Sequence, residues 1–377
     1  MKFRTEYQPT KSPLRLDPER PIVAIGSCFA ENIAARMRRC LWDAQNPAGT
    51  LFNPYSIAKA LRICLIDDDE EARGKFAASL FEDKGIWHSW LFDSKMSAGC
   101  SPEECMARFL EMRECFVKTM ENTQALVFTL GTAWVYFLNA TDDVVANCHK
   151  QPQSLFTRER MSIEEIERVL DLVLRELRMK YPALEIILTV SPVRHVKDGL
   201  HGNLLSKSLL LLAAEGVCGR HPFCHYFPAY EILTDDLRDY RFYASDLVHP
   251  SDEAVEYIWE KFRQTYLDPK AEELLQQGER LNTAFLHRPI VADTPQEEKR
   301  REKVNADLAA FLSLHPFMLL PAHKPIHLIK TVKTSAMDFR ATPIVDITPD
   351  VAEALREVKA MRKGEKPVKS MNDFLND

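Results

Sequence analysis

Residues 21–32 read PIVAIGSCFAEN: an apolar run closed by Gly26, then Ser27 and Cys28 directly before a segment of helical spacing. A serine between a strand end and a helix start has its hydroxyl at the sheet edge where ligands bind, and the free N–H groups of the helix start can stabilise an oxyanion. The same position suits a helix N-cap, which serine also favours. A serine nucleophile needs a base and a carboxylate that orients the base. Two D-x-x-H pairs qualify, Asp246 with His249 in YASDLVHPSD and Asp198 with His201 in KDGLHG. Both pairs lie in loops that follow strand candidates, so spacing leaves both open.

Other reactive residues compete with these. Cys28 offers a thiol at the same helix start, but if Ser27 faces the cleft, Cys28 points toward helix–sheet packing. The run CGRHPFCH at 218–225 carries zinc-type ligands without their paired close spacing. In a strand its Cys224 and His225 would face opposite sides, and no metal site is assigned. Arg194 and His195, in SPVRH, follow a strand and stand at the same sheet edge as Ser27, with Arg194 suited to an anionic group. Trp87, His88 and Trp90 could form a wall for sugar rings, although the same alternation describes a half-buried strand. Asn203 and Lys207 fit a cap and an exposed face at the start of the next helix.

The elements that must position these residues are readable from periodicity. Short branched-apolar runs at 22–26, 125–131, 185–191 and 223–227 predict buried strands. Helical spacing follows the first run through Ile33, Ala34, Met37 and Leu41, and recurs at 55–66, 163–174, 204–212 and 254–262. This alternation predicts an α/β fold with a mainly parallel sheet. Between the first two strands lie a charged loop, DDDEEARGK, and a short hairpin around GIWHSWLF. A second hairpin is expected over 132–147. From about residue 268 the chain turns to charged helix, a Pro-broken apolar stretch and a polar tail. We therefore expect a catalytic-type domain at 1–267 and a helical appendage with a flexible tail at 268–377.

Composition excludes several classes. The chain has 377 residues, 46% hydrophobic and 28% charged, which are globular proportions. With 49 basic against 55 acidic residues, the net charge of −6 supports neither a general nucleic-acid binder nor a polybasic membrane protein. No apolar run resembles a signal-peptide core or a membrane span. The nine cysteines form an odd set without a CxxC pair, so reduced thiols and a cytoplasmic protein are expected.

The run at 25–33, IGSCFAENI, carries the signature for which the GSCFA family is named, and the chain resembles that family, a branch of the SGNH/GDSL-like hydrolases. GTLFNPYSI at 49–57, TLGTAWVY at 129–136, TVSPVRH at 189–195 and the Asp246/His249 block are similar to the family as well. The resemblance implies a three-layer α/β/α sandwich and a serine esterase or acyltransferase without a cofactor. Its substrate would be a small acyl ester, with acetyl on a carbohydrate as the family-level analogy. Ser27 resembles the nucleophile, His249 the base and Asp246 its orienting carboxylate. Gly49 is similar to the glycine whose N–H serves the oxyanion hole, and the resemblance implies that the Ser27 N–H is the second donor there. The third block usually reads G-x-N-D and here reads Gly131-Thr132-Ala133-Trp134, so the oxyanion asparagine is missing from it. Asn53 is a candidate substitute, and Gly131, Thr132, Arg194 and His195 complete the expected substrate-binding set. The alternative is a ligand-binding or scaffold protein that keeps the fold with little or no catalysis.

Overall fold

The computed structural model describes residues 4–289 and 294–320. The first apolar run forms β1 (Ile22–Gly26), buried at every position, and a single residue, Ser27, separates it from α1 (Cys28–Arg39). A short strand, β2 (Ala44–Gln45), precedes α2 (Pro54–Leu61), which widens into a π turn over Arg62–Ile66.

The segment expected as a charged loop is instead α3 (Asp69–Ala78). Asp68 caps it by accepting the Glu71 N–H, three acidic residues fill its first turn, and Ala72 and Phe76 are buried. The charge density hid a two-residue apolar seam. The expected hairpin follows as β3 (Leu80–Asp83) and β4 (Ile86–Ser89), then a single helical turn, α4 (Ser94–Ser97).

A long helix that the sequence reading did not assign, α5 (Pro102–Asn122), leads to the second central strand, β5 (Ala125–Leu130). Its signal was Ser101-Pro102-Glu103-Glu104 ahead of Cys105, Phe109, Met112, Phe116 and Met120, all buried at helical spacing. The second hairpin forms as β6 (Trp134–Leu138) and β7 (Asp143–Val145), and an unassigned strand, β8 (Phe156–Arg160), completes a three-stranded antiparallel sheet. The chain then runs through α6 (Ile163–Lys180), β9 (Glu185–Val190), α7 (Gly199–Arg220), β10 (Cys224–Phe227), a short α8 (Ala229–Glu231) and α9 (Asp252–Tyr266). The last described helices are α10 (Pro269–Leu286) and α11 (Pro295–Leu314).

The central sheet has the order β10-β9-β5-β1-β2, and all its pairings are parallel. Because side chains alternate along a strand, Val23, Ile25, Leu126, Phe128, Ile186 and Leu188 face one core, whereas Ile22, Ala24, Ala125, Val127 and Ile187 face the other. Residues of α2, α5, α6 and α7 fill the first core; α1, α9 and α10 fill the second. The result is a three-layer α/β/α sandwich, with further helices after residue 268. In α10, Leu275 is fully buried in the second core and the Asn282 amide donates to the Arg39 carbonyl at 2.9 Å. The expected frayed tail at the end of the chain lies outside the described residues.

Candidate active site

In a parallel sheet the carboxyl ends of all strands lie along one edge, and loops leaving that edge build the site. β1 ends at Gly26, whose φ of +123° lies in the region glycine tolerates. A Cβ there would stand 2.0 Å from the Thr129 carbonyl oxygen of β5, so only glycine allows the turn into Ser27. Ser27 is 1% exposed, and its Oγ accepts the Phe29 N–H at 3.3 Å, capping α1. Its own N–H donates to Thr129 O at 3.1 Å, so the sheet already uses the donor expected to serve an oxyanion.

The second block lies alongside. Leu51 donates to Gly26 O at 2.7 Å, and Phe52 O accepts from both Gly131 and Thr132, at 2.8 and 2.9 Å. A Cβ on Gly131 would meet Phe52 O at 2.7 Å and Ser27 Cβ at 3.3 Å, so this glycine lets three chain segments close around the serine. The Gly49 N–H makes only a long contact to Asn46 O, 3.5 Å. Asn53 is the N-cap of α2: its Oδ1 accepts the Ser56 N–H at 2.7 Å, which leaves Nδ2 as the donating end of the amide. The Thr132 hydroxyl turns away to Ser206 Oγ (3.1 Å) and accepts the Trp134 N–H (3.2 Å).

The loop after β9 joins the closing block, because the Arg194 N–H donates to Val248 O at 3.1 Å. The Arg194 guanidinium lies over the Tyr243 ring at 4.0 Å and near the Tyr240 ring at 5.2 Å. The His195 ring meets Phe52 edge-on at 5.8 Å, and the His195 backbone N–H donates to Asn203 Oδ1. Burial, and after it the charges of Lys207 and Arg158, push the imidazole down to about 4, so His195 is neutral near pH 7.

Asp246 and His249 are brought together: Asp246 Oδ2 stands 2.6 Å from His249 Nδ1, and Oδ1 accepts the N–H groups of Val248 and His249 at 2.9 and 3.0 Å. The bond from the His249 ring, and after it those backbone donors, hold the Asp246 carboxyl down at about 2. An ionised carboxylate only accepts, so the ring proton sits on Nδ1 and Nε2 keeps its lone pair. About half of each side chain is exposed. No hydrogen bond joins Ser27 Oγ to His249 in this structure.

Asp198 and His201 are not brought together. The Asp198 carboxylate pairs with Arg158 and is itself buried, whereas His201 is exposed on α7.

The Cys28 thiol packs against the second core, and burial pushes it up, which keeps it protonated near neutrality. In the run at 218–225, His221 meets Asp171 and His225 meets Glu185, each at 2.8 Å, and the two sulfur atoms lie 3.4 Å apart. Among the described residues no group of three or more potential metal ligands converges. Trp87 packs on the first core, whereas Trp90 stacks on Phe81 at 3.6 Å and His88 meets the tilted His149 ring at 5.0 Å. Lys207 is not on an exposed face: it is 1% exposed and reaches the Gly131 and Ser191 carbonyls. Its signal was helical register, since Leu210, Ala214 and Val217 share its side of α7 and are buried too.

The sequence pattern of the GSCFA family matches residues 21–262, which contain every block just described. The chain belongs to the GSCFA family. No curated protein matches it. Among solved structures, a "Corynascus thermopiles (Myceliophthora fergusii) carbohydrate esterase family 2 (CE2) enzyme plus carbohydrate binding domain (CBD)" is similar at 15% identity and a TM-score of 0.26. The match covers 41% of this chain and 38% of the other, so this GSCFA chain spans well under half of that protein.

Proposed function

We propose that this GSCFA protein is a serine esterase or O-acyltransferase acting on a small acyl ester, with acetyl on a carbohydrate as its substrate class. The observation that supports it most is the 2.6 Å contact of Asp246 with His249, held by the Arg194–Val248 bond at the sheet edge where β1 delivers Ser27. His249 Nε2 takes the Ser27 proton as Oγ bonds to the ester carbonyl carbon, and the carbonyl electron pair moves onto oxygen. The Gly49 N–H and Asn53 Nδ2 are the donors assigned to that oxyanion. Collapse breaks the bond to the leaving alkoxide, which receives the proton from Nε2. Water then releases the acid from the acyl-serine, or a sugar hydroxyl carries the acyl group away. The nine free thiols favour a reducing compartment such as the cytoplasm. No helix among the described residues is long and apolar enough to cross a membrane.

Two observations favour a second reading, a binding module without turnover. Ser27 is almost completely covered, and its N–H is spent on Thr129. Stopped-flow hydrolysis of p-nitrophenyl acetate tests the enzyme reading. A nitrophenolate burst stoichiometric with protein, absent in Ser27→Ala, is expected; no burst from folded protein supports the binding module.

A further inference from the structure

Lys207 is buried among the helices and strand ends that carry Ser27, and the chemistry above makes no use of it. Its Nζ donates to Gly131 O and Ser191 O, each at 2.7 Å, the carbonyls immediately beyond the ends of β5 and β9. Gly131 is the residue whose backbone closes against Ser27 and Phe52. The groups around the ammonium are Cys28 from α1, His195 from the loop after β9, and the Tyr230 ring of α8, 5.7 Å from Nζ. None of these is a carboxylate, and among the described residues no ion pair neutralises Lys207. Burying an unpaired charge is costly, so packing alone would be served better by Met or Leu.

The two carbonyls give the charge a role. Unopposed, their oxygen ends would place negative potential at the edge where an oxyanion has to form, in a family block that here lacks its asparagine. We propose that Lys207 is a positioning residue of the Ser27 site, clamping the Gly131 and Ser191 carbonyls so that the Gly131 backbone is held against Ser27 and their negative potential is cancelled by a buried positive charge. This inference rests on the serine-enzyme reading. Burial pushes the ammonium down to about 7, so its charge is present below that pH and lost above it.

The test is the rate of fluorophosphonate labelling of the full chain between about pH 5 and 9, in wild type, Lys207→Met, Lys207→Arg and Ser27→Ala, with thermal melts alongside. Wild type should show an alkaline fall in rate near the Lys207 ionisation. Lys207→Met, if folded, should label about 10–100-fold more slowly at acidic pH, towards the loss seen for a deleted oxyanion donor, and lack that fall. Lys207→Arg should recover most of the rate and also lack the fall, because a guanidinium keeps its charge. A folded Lys207→Met that labels at the wild-type rate overturns the inference. If Lys207→Met does not fold, wild type and Lys207→Arg decide: an alkaline limb shared by both, or absent from wild type, overturns it. Labelling lost in Ser27→Ala but unmoved by Lys207 sinks this inference alone, whereas a wild type that does not label sinks the serine reading as well.

Discussion

A carboxylate can only accept a proton, and that fact orients His249: with Asp246 Oδ2 at 2.6 Å from Nδ1, the other ring nitrogen is left to serve as the proposed base. His249→Ala should therefore lower the acylation rate by several orders of magnitude, and Asp246→Asn should be severe because it permits the wrong tautomer. His201→Ala should stay close to wild type, since its candidate partner Asp198 is committed to Arg158. Burst rates with matched circular dichroism check the ranking; an inactive His201→Ala beside an active His249→Ala would reverse the assignment. Ser27 and the closing block were legible because each is a contiguous motif tied to a strand end. Lys207 was not, because a single charge inside a leucine-rich helix reads as solvent-facing until its register with Leu210 and Val217 is weighed. The engagement of the Ser27 N–H by Thr129 was also hidden, since it depends on which strand lies next to β1.

Among the elements, the parallel strands were legible because buried strands leave continuous branched-apolar runs. β1 matches its expected bounds, and β5, β9 and β10 differ from theirs by one residue. α3 and α5 were harder, because charged surfaces dilute their apolar seams; β8 was harder still, since FTRER holds one large apolar residue and is defined by pairing with β6. The junction of β1 with α1 is the most constrained point. Gly26→Ala places a methyl 2.0 Å from a carbonyl oxygen at a φ of +123°. It should cost about 2–4 kcal/mol, among the larger single-residue effects, and slow Ser27 acylation by moving the serine. Urea unfolding paired with burst kinetics checks this, and an unchanged midpoint would show that β5 yields there.

At the scale of the whole molecule, the sheet separates two cores, and α10 seals the second through Leu275, so helices after residue 268 take part in the packing around α1. We keep 1–267 as the proposed hydrolase domain, since every proposed site residue falls within it. Global stability should carry the signature of His195. Its folded pKa of about 4 lies below the ordinary histidine value of about 6.5, so between these values the unfolded chain binds more protons and stability falls as pH drops. His195→Gln should flatten that slope in urea midpoints measured from about pH 4 to 7; an equally steep slope in the variant would assign it to other groups. For the intact folded protein, the most direct test of the central proposal is the site of covalent capture. Fluorophosphonate-treated protein is digested and the adduct located by mass spectrometry. One adduct on the peptide carrying Ser27, strongly reduced in His249→Ala, is expected; an adduct elsewhere, or none on folded protein, would contradict Ser27 as the nucleophile.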